Sequence, residues 1–280
     1  MADRLGGEVV SADSMQAYAG LPILTAQPQR PTRLVGIWPL SHEGSVAEYA
    51  HLAHAEIDGL LERGRVAVVA GGTGLYLRAA LADLQLPPAP PASLRERYES
   101  FYDRLGAERA YAVLTERDPD AAARVHANDR RRVVRALELT ELGASLRPDD
   151  DRLWTDDARH PTLVFGLDVP RDVLSARIVE RAGRMFDAGV VEEARAALAS
   201  DLSSTAVHAL GLRDVVELPR AQAEEELITR TRRYAAYQRK WMRRIPGLVS
   251  VNANRPPEEV ADDIVEVARA RQRLPAGRAG

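Results

Sequence analysis

The sequence predicts an α/β protein with a buried parallel sheet and a helical insertion. Two short runs rich in β-branched residues, EVVSA from Glu8 and RVAVVA from Arg65, are typical of strands buried on both faces of such a sheet. A stretch with helical periodicity lies between them, so strand, helix and strand alternate. From Leu94 to about Leu146 the pattern is helical only, and a further strand follows at Leu163 to Val169. The helical stretch therefore reads as an insertion into the α/β core.

Composition excludes several classes of protein. The 280 residues exceed a typical single domain, with 45% hydrophobic and 28% charged residues, as in ordinary globular proteins. No apolar run approaches the ~20 residues that span a bilayer, and the first residues lack an apolar signal core, so we expect a cytoplasmic protein without membrane segments. The absence of cysteine excludes disulfides, thiolate catalysis and cysteine-ligated zinc. A net charge of -3 argues against wholesale wrapping by nucleic acid but allows a local basic face.

The first part of the chain contains three candidate strands and a capped helix. Leu34 to Trp38 (LVGIW) is the third strand candidate, between the other two. Ser45 and Glu48 have the spacing of a capping box at the start of the helix, and Gly64 supplies its C-terminal stop. The proline-rich LPPAPPAS from Leu86 then marks a boundary.

The later elements follow from periodicity and from Pro and Gly signals. We predict a helix with Asn128 as N-cap, an acidic loop from about Asp149 to Arg159, and a helix from Arg171 to about Ala199. A long helix should run from about Gln222 to Ile245, followed by one more amphipathic segment and a frayed tail. The predicted domains are residues 1–90 and 159–280 for the core and residues 91–158 for the insertion.

Chemistry is expected where the first two parallel strands end, because open parallel sheets bind ligands outside the carboxyl ends of their strands. Asp13 and Ser14 follow the first run, and GGTGLY, from Gly71 to Tyr76, follows the second. Glycines let a phosphate approach main-chain N–H groups, the next helix adds its positive N-terminus, and Thr73 adds a hydroxyl. The alternatives remain that GGTG only makes a tight turn and that Asp13 only caps a turn.

Two helices carry clustered basic residues. Arg130, Arg131, Arg132 and Arg135 repel one another unless phosphates, or partners such as Glu138, neutralise them. Val134, Leu137 and Leu142 should form the buried stripe of that helix.

The long C-terminal helix also carries clustered basic residues, on the two flanks of a stripe that should be buried. The flanks have the density of charge expected beside a nucleic-acid backbone, although the aromatic residues could be packing only. The predicted stripe is Leu227, Thr231, Tyr234, Gln238, Trp241 and Ile245, and the flanks are Arg232, Arg239 and Arg243 on one side and Arg233, Lys240 and Arg244 on the other.

Five motifs carry a family resemblance. They are DSMQAYAGLPILTAQP, GGTGLYLRAAL, RVHANDRRRVVRALEL, HALGLRD and TRRYAAYQRKWMRR, in this order. In order and spacing the chain resembles the tRNA dimethylallyltransferases over almost its whole length. The resemblance implies a P-loop kinase-like parallel sheet core with a helical insertion that grips the anticodon stem-loop. It also implies transfer of a dimethylallyl group from dimethylallyl diphosphate to the N6 amine of the adenosine 3′-adjacent to the anticodon.

The resemblance also implies roles for individual residues. Asp13 and Thr73 match catalytic positions, and Ser14, Gly71, Gly72 and Gly74 match positions near the diphosphate or the base. Mg²⁺ is the implied cofactor, with Thr73 as a weak candidate ligand, and the resemblance also implies nucleotide or ATP binding. We expect a monomer. The implied tRNA-binding positions are Asp13, Ser14, Met15, Gln16, Arg95, Arg131, Arg132, Val133, Val134, Arg135, His208, Gly211, Arg213, Tyr237, Gln238, Arg239, Lys240, Trp241 and Arg243.

The sequence also departs from the family pattern. The family's Walker A loop, G-x-x-x-x-G-K-[ST], needs a lysine after glycine, but the only lysine is Lys240 and Arg239 precedes it. We therefore expect that the core lacks its first strand and phosphate loop, that the start codon is placed too late, and that these 280 residues alone have little transferase activity and reduced stability. Gln27, Ala236 and Tyr237 also stand where the family often has basic residues.

Three alternatives stay open. An adenylate isopentenyltransferase shares the chemistry, but the helical insertion and basic helices favour a large RNA acceptor. A catalytically inactive RNA-binding paralogue would keep the grip on the stem-loop alone. A P-loop small-molecule kinase is the third alternative, and nothing in the sequence requires ATP as its substrate.

Overall fold

The computed structural model describes residues 1–87, 89–146 and 152–273. The predicted acidic loop lies partly outside these residues, and within them a short 3₁₀ helix covers Arg152–Trp154. In chain order the elements are α1 (Ala2–Leu5), β1 (Glu8–Ser11), α2 (Val46–Glu62), β2 (Ala67–Ala70), α3 (Gly74–Leu81), α4 (Ala92–Leu105), α5 (Ala107–Arg117), α6 (Pro119–Ala122), α7 (Arg130–Glu141), β3 (Phe165–Asp168), α8 (Arg171–Asp187), α9 (Val190–Leu198), α10 (Asp214–Glu217), α11 (Arg220–Met242), β4 (Val249–Asn252) and α12 (Pro257–Arg273).

The chain divides into two compact units. The first unit combines residues 1–82 with the residues from 154 onward, and the second consists of residues 83–153. The first unit holds all the strands of the described residues, and α4 to α7 form the second.

The first unit contains two parallel two-stranded sheets. Strand β1 pairs with β2 in a register that sets Glu8 opposite Ala67, and β3 pairs with β4 with Phe165 opposite Val249. Parallel pairing brings the carboxyl ends of β1 and β2 to the same edge, which is what positions the site described below. The predicted α/β class with parallel strands is confirmed.

The strands differ from the prediction in three ways. Leu34 to Trp38 is not a strand, because Leu34 and Gly36 both have φ of 63° and only isolated bridges form at Arg33 and Trp38. Strand β4 was not predicted from the sequence. The strands are also less buried than expected, since β2 is largely half-buried and Leu167 of β3 is 56% exposed.

The start of α2 confirms the predicted N-cap in part. The Ser45 hydroxyl accepts a hydrogen bond from the Glu48 N–H at 3.1 Å, and Gly64 adopts φ of 68° just past the helix end. The reciprocal half of the capping box is absent, because the Glu48 carboxylate contacts His42 Nε2 at 2.9 Å instead. The helix packs its buried stripe, which includes Tyr49, against β1 and α3.

Several predicted helices are also corrected. The predicted helix from Arg171 to Ala199 is two helices, α8 and α9, because Gly189 between them has φ of 93°. Helix α11 begins two residues earlier and ends three residues earlier than predicted. Among the described residues, no helix combines the length and apolar character needed to cross a bilayer.

The second unit has its own core, centred on Leu114, Val133 and Leu137. The N-cap of α7 is Asp129 and not Asn128, since the Asp129 carboxylate accepts from the Arg132 N–H at 3.2 Å. Leu142 was predicted in the buried stripe but is 42% exposed, because α7 ends at Glu141 and Leu142 is its C-cap.

Candidate active site at the ends of two parallel strands

The turns that follow β1 and β2 lie in contact. The Ser14 N–H donates to Thr73 Oγ1 at 3.3 Å, and the two hydroxyl oxygens lie 3.4 Å apart. The Tyr234 hydroxyl of α11 lies 3.2 Å from the same Thr73 oxygen. Thr73 is thus the point where the two strand ends and the long C-terminal helix meet.

Backbone N–H groups fix the Asp13 side chain through one of its two carboxylate oxygens. Its Oδ1 accepts from the Met15 N–H at 2.9 Å and from the Gln16 N–H at 3.3 Å, which closes a turn directly after β1. Its Oδ2 has no hydrogen-bond partner among the described residues. The carboxylate can therefore orient a ligand with its second oxygen while the first fixes its direction.

The charge of Asp13 affects the pKa of three nearby tyrosines. Burial is the main cause that raises the pKa of Tyr49, Tyr76 and Tyr234 above the ordinary range, and the negative charge of Asp13 adds to each rise. The Tyr49 hydroxyl also donates to the Ser11 carbonyl at 2.8 Å. The phenols therefore stay neutral around the site, and the end of β1 is fixed in place.

Helix α11 lies directly over the glycine turn. Gln238 Nε2 donates to the Gly72 carbonyl at 3.1 Å, and a Cβ atom on Gly74 would come within 2.2 Å of the Trp241 ring. A Cβ atom on Gly71 would meet the Ala12 carbonyl oxygen at 2.3 Å. Close packing therefore explains glycine at positions 71 and 74, which supports the reading of GGTG as a tight turn at these two positions.

The glycine turn nevertheless keeps backbone donors for a ligand. Within the described part of the chain, the N–H groups of Gly71, Gly72 and Thr73 have no hydrogen-bond acceptor. They precede α3, whose N-terminus carries a partial positive charge. An anion at this turn would meet both.

A network of side chains fixes the loop that follows Asp13. Gln16 Nε2 donates to the carbonyls of Thr25 and Ala26 at 3.3 and 3.1 Å, and Gln27 Nε2 donates back to the carbonyls of Gln16 and Tyr18. The Glu193 carboxylate of α9 accepts two backbone N–H groups of the same loop at 2.8 Å each. The contribution of Glu193 was not predicted, because a lone glutamate on a helix gives no sequence signal for a contact about 170 residues away.

With this geometry established, comparison with known proteins identifies the family. The sequence model described as IPP transferase matches residues 16–245. The chain belongs to the IPP transferase family. The resemblance drawn from the five sequence motifs is thereby confirmed.

Similar proteins carry consistent names. The chain is 41% identical over 261 residues to a protein of Streptomyces griseus named tRNA dimethylallyltransferase, covering 87% of this chain and 81% of that one. A protein of Salinispora arenicola with the same name is 40% identical, with 89% and 75% covered. Both comparisons extend over most of each protein.

Solved structures share the fold. A tRNA isopentenylpyrophosphate transferase from Bacillus halodurans superposes with a TM-score of 0.67 at 29% identity, covering 97% of this chain and 90% of that one. A eukaryotic dimethylallyltransferase solved while acting on tRNA gives a TM-score of 0.75 at 22% identity, covering 100% and 77%. The second likeness concerns the fold only.

In this IPP transferase, the RNA-binding positions expected on α11 differ in their surroundings. Gln238 and Trp241 face the glycine turn, whereas Tyr237 is 53% exposed. Arg239 contacts the Val169 carbonyl and lies 3.6 Å from Asp168. Lys240 and Arg243 are exposed and have no carboxylate partner among the described residues.

A further group of expected RNA-binding positions in the first unit lies in the turn before α10. His208 ends a short 3₁₀ helix, and Gly211 has φ of 82°. Arg213 lies 3.7 Å from Glu217, with both side chains well exposed. The Leu227 side chain of α11 contacts this turn, since a Cβ atom on Gly211 would lie 2.8 Å from it.

The expected positions in the second unit are mostly neutralised within that unit. Arg95 and Arg135 lie 3.5 and 3.2 Å from the Glu138 carboxylate, which is 1% exposed. Arg130 forms two hydrogen bonds of 2.7 Å with Asp103, and Arg132 lies 3.6 Å from Asp129. Arg130, Arg132 and Arg135 of α7 therefore have carboxylate partners, as the alternative interpretation of this cluster expected.

Three other expected RNA-binding positions on α7 do not pair with a carboxylate among the described residues. Arg131 has no carboxylate partner in the described part of the chain. Val133 and Val134 are buried in the core of the unit, so their side chains offer no surface for a ligand. Any RNA contact at these two positions would have to use the backbone.

Proposed function

We propose that this chain transfers a dimethylallyl group from dimethylallyl diphosphate to the N6 amine of the tRNA adenosine 3′-adjacent to the anticodon. The observation that carries the proposal is the contact between the two strand-end turns, with the free Oδ2 of Asp13 and the Thr73 hydroxyl at one edge of the β1–β2 sheet. Membership of the IPP transferase family and the names of its similar proteins support the same reaction.

Asp13 is proposed as the base. An adenine amine is a poor nucleophile because its lone pair is delocalised into the ring, so a carboxylate that accepts its proton assists the attack. The nitrogen forms a bond to the allylic carbon, the bond from that carbon to the diphosphate oxygen breaks, and the amine proton passes to Asp13 Oδ2. The diphosphate leaves with the electron pair of the broken bond.

Thr73 and the glycine turn are proposed to bind the leaving group. A threonine hydroxyl has one donor and two acceptor positions. When Ser14 N–H and the Tyr234 hydroxyl occupy both acceptor positions, the Thr73 proton is left to donate to a phosphate oxygen. The unpaired N–H groups of Gly71 and Gly72 would stabilise the same developing charge.

Mg²⁺ fits this site only as an ion that arrives with the diphosphate. Among the described residues no group of three His, Asp or Glu side chains could hold a metal, and the strand ends bring together one carboxylate and two hydroxyls. Mg²⁺ is commonly bound by one or two carboxylates together with substrate phosphates and water. When bound, it would supply positive charge to the leaving group, with Thr73 as the weak candidate protein ligand where the Tyr234 hydroxyl does not occupy its second acceptor position.

A large RNA acceptor is supported by basic side chains on both units. Lys240 and Arg243 of α11 and Arg131 of α7 are the cations of the expected RNA-binding positions that lack a carboxylate partner among the described residues. Such groups are available to phosphates. A tRNA substrate also implies a cytoplasmic protein, and we propose that the chain acts as a monomer, which size-exclusion chromatography would check.

The test of the proposed function is an assay with an anticodon stem-loop RNA and dimethylallyl diphosphate. We expect the wild-type chain to bind the RNA and to add one dimethylallyl group at a low rate, since the sequence has no Walker A lysine to hold the diphosphate; mass spectrometry would detect the product. Asp13→Asn should lower the transfer rate by about 10²- to 10⁴-fold and change the RNA dissociation constant far less, because it removes the base and one contact to the adenosine while the other expected RNA contacts remain.

The control is Asp3→Asn, which changes an exposed carboxylate paired with Arg30 and should leave transfer unchanged. A transfer rate within threefold of wild type in Asp13→Asn would contradict the role of Asp13. RNA binding by the wild-type chain with no transfer would contradict the proposed activity and favour an RNA-binding function alone.

A further inference from the structure

Three aromatic side chains form a row on the first unit. The Trp154 and Trp241 ring centroids lie 4.7 Å apart, with an angle of 40° between the ring planes. The Tyr237 ring lies 6.4 Å from Trp241 at 69°, one helical turn away along α11. We call Trp154, Trp241 and Tyr237 the aromatic row.

The aromatic row lies outside the hydrophobic cores. None of its members belongs to a core cluster of the described residues, and Tyr237 is 53% exposed. The chain has only 3 tryptophans, and of these Trp38 alone is buried in a core. Trp154 and Trp241 are half-buried, so Tyr237 is the member of the row that presents an exposed ring. A large exposed aromatic side chain gains little from folding, and this ring is available to a ligand or a partner.

The surroundings of the row are strongly basic. Arg244 lies over the Trp154 ring, with its guanidinium carbon 3.6 Å from the ring centroid. Lys240, Arg243 and Arg244 are exposed, and none of them has a carboxylate partner among the described residues. A surface that combines aromatic rings with unneutralised cations suits an anionic polymer with flat, unpaired rings, namely a single-stranded nucleic acid.

The row also reaches the candidate active site. The Trp241 ring fills the space beside Gly74, where an added Cβ atom would lie 2.2 Å away, and Thr73 is the next residue. A base that stacks on Tyr237 would therefore lie one helical turn along α11 from the ring that contacts the glycine turn. Bases in a duplex are stacked on one another, so only an unpaired nucleotide of a loop could use the row.

We propose that the aromatic row binds an unpaired nucleobase next to the target adenosine by stacking, with Tyr237 as the ring that the base meets. Arg244 occupies a face of Trp154, whereas Tyr237 is the exposed end of the row. The proposal rests on the proposed function, because it identifies where an RNA loop of that substrate would be gripped. It adds Trp154, which lies outside the sequence motifs, to the RNA site.

The test measures binding of an anticodon stem-loop RNA by fluorescence anisotropy over a series of salt concentrations. Tyr237→Leu should raise the dissociation constant about 5- to 150-fold, which corresponds to the loss of about 1–3 kcal/mol of stacking on one base. The slope of log K against log salt should stay the same, because no charge is lost. Tyr237→Phe keeps the ring and should retain most of the affinity.

Two matched controls separate stacking from charge and from folding. Lys240→Gln should reduce the salt slope by about 0.7, the value for one phosphate contact on a single strand. A hairpin of the same length with a fully paired stem and a minimal loop should bind the Tyr237→Leu variant as it binds wild type. Addition of the stem-loop should also quench tryptophan emission, since a base on Tyr237 lies near Trp241, whose ring centroid is 6.4 Å from that of Tyr237.

The outcomes distinguish this inference from the proposed function. Prenyl transfer with a Tyr237→Leu affinity within twofold of wild type would overturn the stacking site and leave the proposed function standing. A Tyr237→Leu variant that changes the salt slope would also overturn it. Failure of the wild-type chain to bind the stem-loop would overturn both.

Discussion

At the scale of single residues, two glycines of the turn after β2 differ in the space available for a side chain. At Gly74 an added Cβ atom would lie 2.2 Å from the Trp241 ring, whereas at Gly72 it would meet only the terminal amide of Gln238 at 1.8 Å. The Trp241 ring packs between α3 and α11 and cannot move without disturbing that contact, whereas the terminal amide of Gln238 can rotate away from an added methyl group. Gly72 should therefore tolerate substitution by alanine better than Gly74 does.

We predict that Gly74→Ala lowers the free energy of unfolding by about 1–3 kcal/mol, because the methyl group overpacks the contact between α3 and α11. Gly72→Ala is the matched control and should cost less, since Gln238 loses one hydrogen bond of 3.1 Å but no ring is displaced. Chemical denaturation followed by circular dichroism would check both. Equal losses would show that the Trp241 contact is not tight.

The residues of the site show what local sequence can predict. Asp13, Ser14 and Thr73 follow directly from the end of a strand, which a run of β-branched residues reveals. Their chemical roles stay predictions. Tyr234 and Glu193 were not predicted, because a tyrosine in a helical stripe and a single glutamate carry no local sign of the turns that they contact.

At the scale of elements, the start of helix α2 depends on the Ser45 side chain, which accepts a hydrogen bond from a backbone N–H group of the first turn. Ser45 has extended backbone angles and its hydroxyl accepts from Glu48 N–H. The Glu48 side chain contacts His42, so the cap depends on Ser45 alone. The helix carries Tyr49 and Asp58, which hold the ends of β1 and the segment near residue 159.

We predict that Ser45→Ala lowers the free energy of unfolding by about 1 kcal/mol, because the first turn of α2 loses its acceptor. Ser45→Asp keeps an acceptor and should retain the stability of the wild type. Thermal and urea unfolding of the two variants would check this. Loss of equal size in both variants would mean that the serine acts through something other than its hydrogen bond.

The elements also show why prediction was uneven. The long helices were predicted because their periodicity extends over many residues, and the error for α11 lies at its ends, where caps decide the boundary. The break at Gly189 between α8 and α9 was missed, because periodicity continues on both sides of it. Strand β4 was missed because a run of four residues becomes a strand only through pairing with β3. The run at 34–38 is apolar but adopts left-handed angles, so its composition misled the prediction.

At the scale of the whole first unit, one carboxylate ties distant parts of the chain together. Asp58 of α2 accepts from Arg159 at 3.1 and 2.9 Å and lies 2.7 Å from His160 Nε2. Arg159, chiefly, and then His160 lower the pKa of Asp58 from 3.8 to about 2. The contact fixes the segment that precedes β3 onto α2.

We predict a pH-dependent difference in stability between the wild type and Asp58→Asn. Because the folded-state pKa is depressed, the carboxylate contributes stability above its ordinary pKa of 3.8, and the contribution is lost as the pH falls toward about 2. Denaturant unfolding at pH 7, 5 and 3 should therefore show a constant difference at the first two values and a smaller one at the third. Asp3→Asn, an exposed pair with Arg30, is the control and should show no difference.

The sequence by itself determined the family, the α/β class and the two strand-end turns that carry Asp13 and Thr73, because these depend on residue order and on periodicity within short stretches. Only the tertiary structure decided which side chains meet there. Tyr234 and Thr73 are 161 residues apart in the chain, and Arg130 and Arg135 of α7 have carboxylate partners whereas Lys240 of α11 has none among the described residues. Such contacts depend on how helices pack and on which charges packing brings together, and no local pattern encodes either.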